Sequence, residues 1–297
     1  MINKIVKELL PEKAVRLIRK IRRTRRRARV GSLPVLTQKG LKEIFAGPLQ
    51  LRAGDVVVIH SSLGNLNLGF PYDRILSLIR EIVGDEGTLL FPTYPMLTSY
   101  KFLLSGEVFD IRKSPSYTGI LSEFARQHKA AIRSLHPTKS VCAIGPQARE
   151  LTETHQHSLH PCDTFSPFYK IMKYNARVIG LGVSTQQGLS PVHTVEDALI
   201  DDFPVDLYHK RLFAAKCINY DGKIEIVHTY GHKIENMKFQ VPRFMAGHVP
   251  ADIGSDMTIH GMKFFRADVK KIFDLMVDLA RKGITVYPKS CYKREWR

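Results

Sequence analysis

Along this chain the apolar positions switch repeatedly between a strand-like and a helix-like period. Residues 56–60 form an apolar run introduced by Gly54-Asp55, and residues 88–91, 140–144 and 177–181 repeat that strand signature. Between them, residues 72–83 carry Ile75, Leu78, Ile79 and Ile82 on one face of a predicted helix. Residues 41–45, 117–127 and 168–174 read as further short helices, and residues 265–282 as a late one. Residues 217–220 and 223–228 flank Asp221-Gly222, a dipeptide suited to a tight hairpin turn. Alternation of this kind predicts helices layered on a sheet. The expected fold is a layered α/β/α domain with a central mixed sheet over residues 31–297, preceded by a basic amphipathic N-terminal helix within residues 1–30.

The N-terminal segment has its own pattern. Ala14, Leu17, Ile18 and Ile21 recur at helical spacing behind Pro11-Glu12, and Arg16, Arg19, Lys20, Arg22 and Arg23 fill the opposite face. Ile5, Val6, Leu9 and Leu10 make a shorter stripe before it. Residues 1–30 hold 12 Lys and Arg against only Glu8 and Glu12, so most of the chain's net charge of +17 is concentrated there. Such a helix suits an anionic membrane surface, because its cations are attracted to the surface and its apolar stripe can enter the interface. Nucleic acid is not expected as a partner, since no aromatic residue lies among these charges to stack bases. A solvated tail or a helix packed on a partner protein stays open.

With 297 residues, 44% apolar and 25% charged, the chain has ordinary globular composition, which excludes wholesale disorder and collagen-like architectures. Apolar runs are strand-sized and too short to cross a bilayer, and the basic start lacks the apolar stretch of a secretory signal. A cytoplasmic location, peripheral on the inner face of the cell membrane, is expected. Cys142, Cys162, Cys217 and Cys291 are widely spread with no CxxC pair, so they read as reduced thiols.

Chemistry is expected where strands run out into loops. His60-Ser61-Ser62-Leu63-Gly64 ends the first predicted strand with two hydroxyls and a glycine, which can approach a phosphate or carbonyl oxygen closely. In Ser190-Pro191-Val192-His193-Thr194-Val195-Glu196, Pro191 suits a first helical turn and Ser190 its N-cap. His193 and Glu196 then share one face, three residues apart, and the carboxylate can hold the imidazole's tautomer as a general base requires. A competing cluster, His155-Gln156-His157-Ser158-Leu159-His160-Pro161-Cys162-Asp163, crowds five possible zinc ligands into nine residues and would suit a metal-dependent hydrolase. A noncatalytic protein that binds anionic surfaces is a third alternative.

Several of these pieces, in this order, resemble the aminoglycoside 3-N-acetyltransferase family. The resemblance runs from about Leu51 to Pro204. It is carried by Val58-Ile59-His60-Ser61-Ser62-Leu63, Gly87-Thr88-Leu89-Leu90-Phe91-Pro92-Thr93, Gly119-Ile120-Leu121-Ser122-Glu123-Phe124, Arg133-Ser134-Leu135-His136-Pro137, Ala143-Ile144-Gly145, Ser166-Pro167-Phe168 and the His193/Glu196 pair. Where the family often has Thr three residues before that histidine, this chain has Ser190, which keeps the hydroxyl.

The resemblance implies a layered α/β fold, acetyl-coenzyme A as donor, no metal, and direct transfer of acetyl to an amine. His193 is implied as base and Glu196 as its orienter. Backbone N–H groups near Ser61 and Ser62 are candidates for the oxyanion, and Arg133 and Ser134 for coenzyme A. Glu123 and Asp197 are candidate contacts for the acceptor amine, with Asp201 and Asp202 close behind. Because the body is basic, the expected acceptor is an amino sugar of bacterial surface-glycan synthesis, nucleotide- or lipid-linked. An aminoglycoside antibiotic, a polycation that a basic protein attracts poorly, is the alternative.

Overall fold

The computed structural model of the protein describes residues 12–296. Among these described residues ten strands form in chain order: β1 (Val56–Ser61), β2 (Thr88–Pro92), β3 (Phe109–Asp110), β4 (Ile132–Arg133), β5 (Val141–Ile144), β6 (Ala176–Leu181), β7 (Tyr208–Ile218), β8 (Ile224–His232), β9 (Gly254–Ile259) and β10 (Met262–Asp268). Seven of them make a central sheet in the order β4-β5-β2-β1-β6-β10-β9. β1 pairs in parallel with both β2 and β6, and the outer strands join antiparallel, so the sheet is mixed as expected.

Alternation along the strands sends side chains to two apolar layers. On one face Val57, Ile59, Leu89, Phe91 and Ile179 pack against Leu41 and Phe45 of helix Gln38–Ala46 and Ile75 and Ile79 of helix Arg74–Val83. On the other, Val56, Val58, Leu90 and Val178 meet Val192 and Val195 of helix Pro191–Ala198 and Ile272 and Met276 of helix Val269–Arg281. At the start of β1 the buried Asp55 accepts from Arg177 Nε at 3.0 Å and Asn175 Nδ2 at 3.1 Å, which locks β1 to β6. A second sheet, in the order β3-β7-β8, covers a small apolar cluster that includes Phe102, Phe109 and Cys217.

Three sequence expectations are revised. The helix expected over residues 265–282 begins only at Val269, because Phe265 to Asp268 complete β10 and Asp268 instead caps the helix, accepting from Lys271 N at 3.1 Å. The hairpin around Asp221-Gly222 forms, with Gly222 at φ +77°, but its strands extend to Tyr208 and His232. The added part of β7 exposes Lys210, Arg211, Leu212, Ala214 and Lys216, and the positions that extend β8 are Thr229, Tyr230, Gly231 and His232, so neither extension carries an apolar run. The helix expected over residues 168–174 is α-helical only for Pro167–Lys170 and tightens to a 3₁₀ turn at Ile171–Lys173.

The basic helix runs Glu12–Gly31. Val30 is buried and the Arg26 guanidinium lies against Gly64, in the turn that follows β1. Toward the N-terminus Leu17 and Ile21 stand 57% and 41% exposed, so this part of the apolar stripe is not covered by the fold. The stripe of Ile5, Val6, Leu9 and Leu10 lies outside the described residues. Among the described residues no helix is long and apolar enough to cross a membrane.

Close packing across β6 and β10 makes Gly180 a sensitive position. A Cβ there would lie 2.0 Å from Phe265 Cδ1, a contact that forces the ring or the strand to move. Gly180→Ala is expected to destabilise the fold by about 1–3 kcal/mol, read from the urea midpoint. An unchanged midpoint would mean that the β6–β10 layer is looser than described.

Candidate active site

Since β1, β2 and β6 are parallel, their carboxyl ends meet at one edge of the sheet, and the cleft opens there. It holds about 370 Å³ and is lined by His60 and Ser61 from the end of β1, Pro92 from the end of β2, and His193 from the helix that follows β6. Lys139, from the loop before β5, and Phe239 form part of its wall.

His193 donates from Nδ1 to Glu196 Oε2 at 2.8 Å. Glu196 has no exposure, and its second oxygen accepts from the Tyr287 hydroxyl at 2.5 Å. A carboxylate can only accept, so the imidazole proton is fixed on Nδ1 and the lone pair is left on Nε2. Rings of His232 and Phe239 meet the His193 ring edge to face at 5.8 and 5.7 Å and hold its plane. Ser190 does precede the helix, but it has helical φ and ψ and makes no side-chain cap. The chain arrives there from the helical turn Thr185–Gly188, and Ser190 N–H donates to Gly188 O at 2.8 Å.

The remaining candidates fall in different places. Ser61 lines the cleft. The backbone N–H of Ser62 is spent on Leu181 O at 2.8 Å, so it does not serve an oxyanion. Arg133 is buried, with its guanidinium on Thr93, Ser140 and the carbonyls of Thr93 and Ser114 and stacked 4.7 Å from the Phe109 ring centroid. Burial lowers its pKa to about 10, and its donors tie the segments that follow β2 and β3 to Ser140 just before β5. Ser134 is fully buried, bridging His155 Nδ1 at 2.8 Å and Val141 N at 2.8 Å.

Glu123 forms a fork with Arg126, whose guanidinium donates from Nε at 2.9 Å and Nη2 at 2.5 Å, and this pairing holds the carboxyl at about 2. Asp197 is buried between the Tyr208 hydroxyl at 2.5 Å and Cys162 N at 2.7 Å, and burial pushes its pKa well up. Neither carboxyl lines the cleft.

The His155–Asp163 segment is a packed loop. His155 is fully buried, with Nε2 on Pro161 O at 2.9 Å and Nδ1 on Ser134, so both nitrogens are occupied. Asp163 accepts from Ser158 Oγ at 2.7 Å. Burial drives the Cys162 thiol well above its ordinary range. Among the described residues no group of three or more His, Cys, Asp or Glu side chains could hold a metal. Four residues that sequence reasoning did not name as site residues belong here: His60, Lys139, Tyr287 and His232. The first two lie in or beside quoted motifs, whereas Tyr287 is far along the chain and carries no local signal.

A family model described as aminoglycoside 3-N-acetyltransferase matches residues 58–280, more than half of the chain. The chain belongs to the aminoglycoside 3-N-acetyltransferase family. An aminoglycoside N(3)-acetyltransferase III from Salmonella sp is 26% identical over 189 residues, covering 59% of this chain and 63% of that protein. An aminoglycoside N(3)-acetyltransferase IX from Micromonospora chalcea is 30% identical over 162 residues, covering 50% of this chain and 57% of that protein. The chain thus spans less than two thirds of the length of these relatives.

The crystal structure of the aminoglycoside acetyltransferase AAC(3)-Xa superposes with a TM-score of 0.71 at 20% identity, covering 90% of this chain and 99% of that one. AAC-IIIb, solved as a binary complex with CoASH, gives 0.68 at 19% identity, covering 86% and 100%. This chain shares the layered fold of both structures.

Burial also sets a pH dependence of stability. His136, His155 and His232 are buried, and desolvation depresses all three, His155 to about 3 and the others well below 6.5. Below pH 6.5 the unfolded chain binds protons that the folded chain refuses. Stability is therefore complete above 6.5 and is lost as the pH falls, for His155 across the window from 6.5 to about 3. Each such ring contributes about 1.4 kcal/mol per pH unit within its window. Urea unfolding at pH 7.5 and at 5.5 is expected to show the drop; equal stabilities would contradict burial of these rings as neutral groups.

Proposed function

We propose that this chain is an acetyl-coenzyme A-dependent N-acetyltransferase that acetylates an amine of an aminoglycoside-type amino sugar. The single observation that carries the reading is the chain Tyr287, Glu196, His193 at a cleft where three parallel strands end. Family membership supplies the reaction class. Acceptor identity is supported by the names of the relatives and by neighbours solved with sisomicin or with a gentamicin. A nucleotide- or lipid-linked sugar of surface-glycan synthesis rests on charge complementarity and the basic N-terminal segment, and the comparisons favour the aminoglycoside.

In this reading His193 Nε2 removes a proton from the acceptor amine as its nitrogen bonds to the thioester carbonyl carbon. The C–S bond then breaks, and the proton held on His193 passes to the departing sulfur, which leaves as the coenzyme A thiol. Glu196 stabilises the imidazolium between these steps, and the Tyr287 hydroxyl keeps the carboxylate aimed at Nδ1. An acyl-cysteine route has less support: Cys142 and Cys217 are buried with thiols pushed up to about 12, and no cysteine lines the cleft.

Thiol release from acetyl-coenzyme A in the presence of sisomicin tests the reading. His193→Ala is expected to lower turnover by about 10²–10⁴-fold with coenzyme A affinity nearly unchanged. Glu196→Gln should lose less and shift the pH profile. Near-normal turnover in the His193 variant would remove it as the base.

The basic helix supports a second element of the proposal, attachment to an anionic membrane surface. Leu17 and Ile21 stand exposed among arginines, and apolar insertion and charge attraction act together on such a helix. Deleting residues 1–30 is expected to abolish cosedimentation with phosphatidylserine-containing vesicles. Leu17→Ser should weaken it at low salt, where charge attraction is least screened. Equal partitioning of the full chain and the deletion would remove the membrane role.

A further inference from the structure

Attack on the thioester moves negative charge onto its carbonyl oxygen, and that charge needs donors in place beforehand. The backbone N–H of Ser62 is already bonded to Leu181 O and is unavailable. The same cleft wall, however, holds a cation without a counter-charge. Lys139 lines the cleft, and its ammonium lies 4.5 Å from the Tyr94 ring centroid with no carboxylate in ion-pair range among the described residues. Its backbone is pinned, because Thr138 N and Lys139 N both donate to His136 Nδ1, at 3.3 and 3.2 Å.

The nearby carboxylates are turned elsewhere. Glu196 is used by His193 and Tyr287, and both oxygens of Asp256 accept from Thr185, from N at 2.7 Å and Oγ1 at 2.6 Å.

His60 stands at the same end. It lines the cleft near the end of β1, and its buried Nε2 has no hydrogen-bond partner among the described residues. Gly188 packs closely against it, since a Cβ there would come within 2.8 Å of His60 Cβ. Burial first, then the charges of Lys139 and His193, lower the pKa of His60 to about 3, so the ring stays neutral and keeps one N–H to donate. A buried polar nitrogen without a partner is unfavourable, and a bound oxygen would satisfy it.

We propose that Lys139, with His60 beside it, forms an anion subsite of the cleft that takes the charge developing on the thioester oxygen. The proposal rests on the transferase reading above. Two sources could supply an anion to this subsite, the reacting oxygen or a phosphate of coenzyme A, and substitution separates them.

With sisomicin and acetyl-coenzyme A, Lys139→Met is expected to lower kcat by about 10²-fold while KM for both substrates stays within about threefold. Lys139→Arg should restore about tenfold of that loss, and His60→Gln should cost about tenfold on its own. A kcat within about threefold of the parent protein in Lys139→Met would overturn the proposal. Retained kcat with coenzyme A dissociation weakened about tenfold would place a phosphate there and equally overturn it. Should the parent protein release no thiol with sisomicin, the proposed acceptor is what fails. The subsite is then read directly by titration with inorganic phosphate: saturable binding that Lys139→Met abolishes sustains it, and absence of binding to the parent protein ends it.

Discussion

A carboxylate sealed from water is costly unless its oxygens are matched, and Glu196 is such a group. Its two partners come from opposite ends of the domain's second half. One is the imidazole three residues before it on the same helix; the other is the hydroxyl of Tyr287, which follows the long helix Val269–Arg281. Satisfying this one group fixes the tautomer of His193 and ties the C-terminal segment against the helix that carries the base. The apolar layer of Val192, Val195, Phe203 and Met276 surrounds that contact. Pulling one partner away would leave a buried acceptor unmet, at about 1–3 kcal/mol or more.

The sheet supplies the other half of the arrangement. Parallel pairing of β1 with β2 and β6 brings His60, Ser61 and Pro92 to the same edge as the segment leading to His193. Asp55 secures the opposite end of β1 through Arg177 and Asn175. The result is a cleft whose polar wall is cationic and imidazole-rich, with its acidic neighbours committed to internal bonds.

Much of this was legible in the amino-acid sequence, for identifiable reasons. Strands β1, β2, β5 and β6 are buried on both faces and announce themselves as apolar runs, and helix Arg74–Val83 shows its core face at regular spacing. The His193/Glu196 spacing is local, so the hydrogen bond could be anticipated from three residues of helix. Contacts that depend on tertiary closure left no local trace. Tyr287 reaches Glu196 across 91 positions of sequence. Arg133, Ser134, Glu123 and Asp197 look like ligand-binding groups in a string of letters, yet each is consumed by neighbours that only the folded chain provides. The end of β10 is hidden because Phe265 and Ala267, strand positions facing the core, continue without a break into the apolar spacing of the helix that follows.

The central claim is that Glu196 holds His193 as the Nδ1–H tautomer with Nε2 open to the cleft. Nitrogen-15 chemical shifts of the histidine rings, read at a pH where His193 is neutral, measure this directly. The account predicts a protonated Nδ1 and a bare Nε2 for His193, with the pattern lost in Glu196→Gln. A protonated Nε2 in the parent protein would contradict it, because the ring could then neither donate to Glu196 nor accept a proton from the acceptor amine.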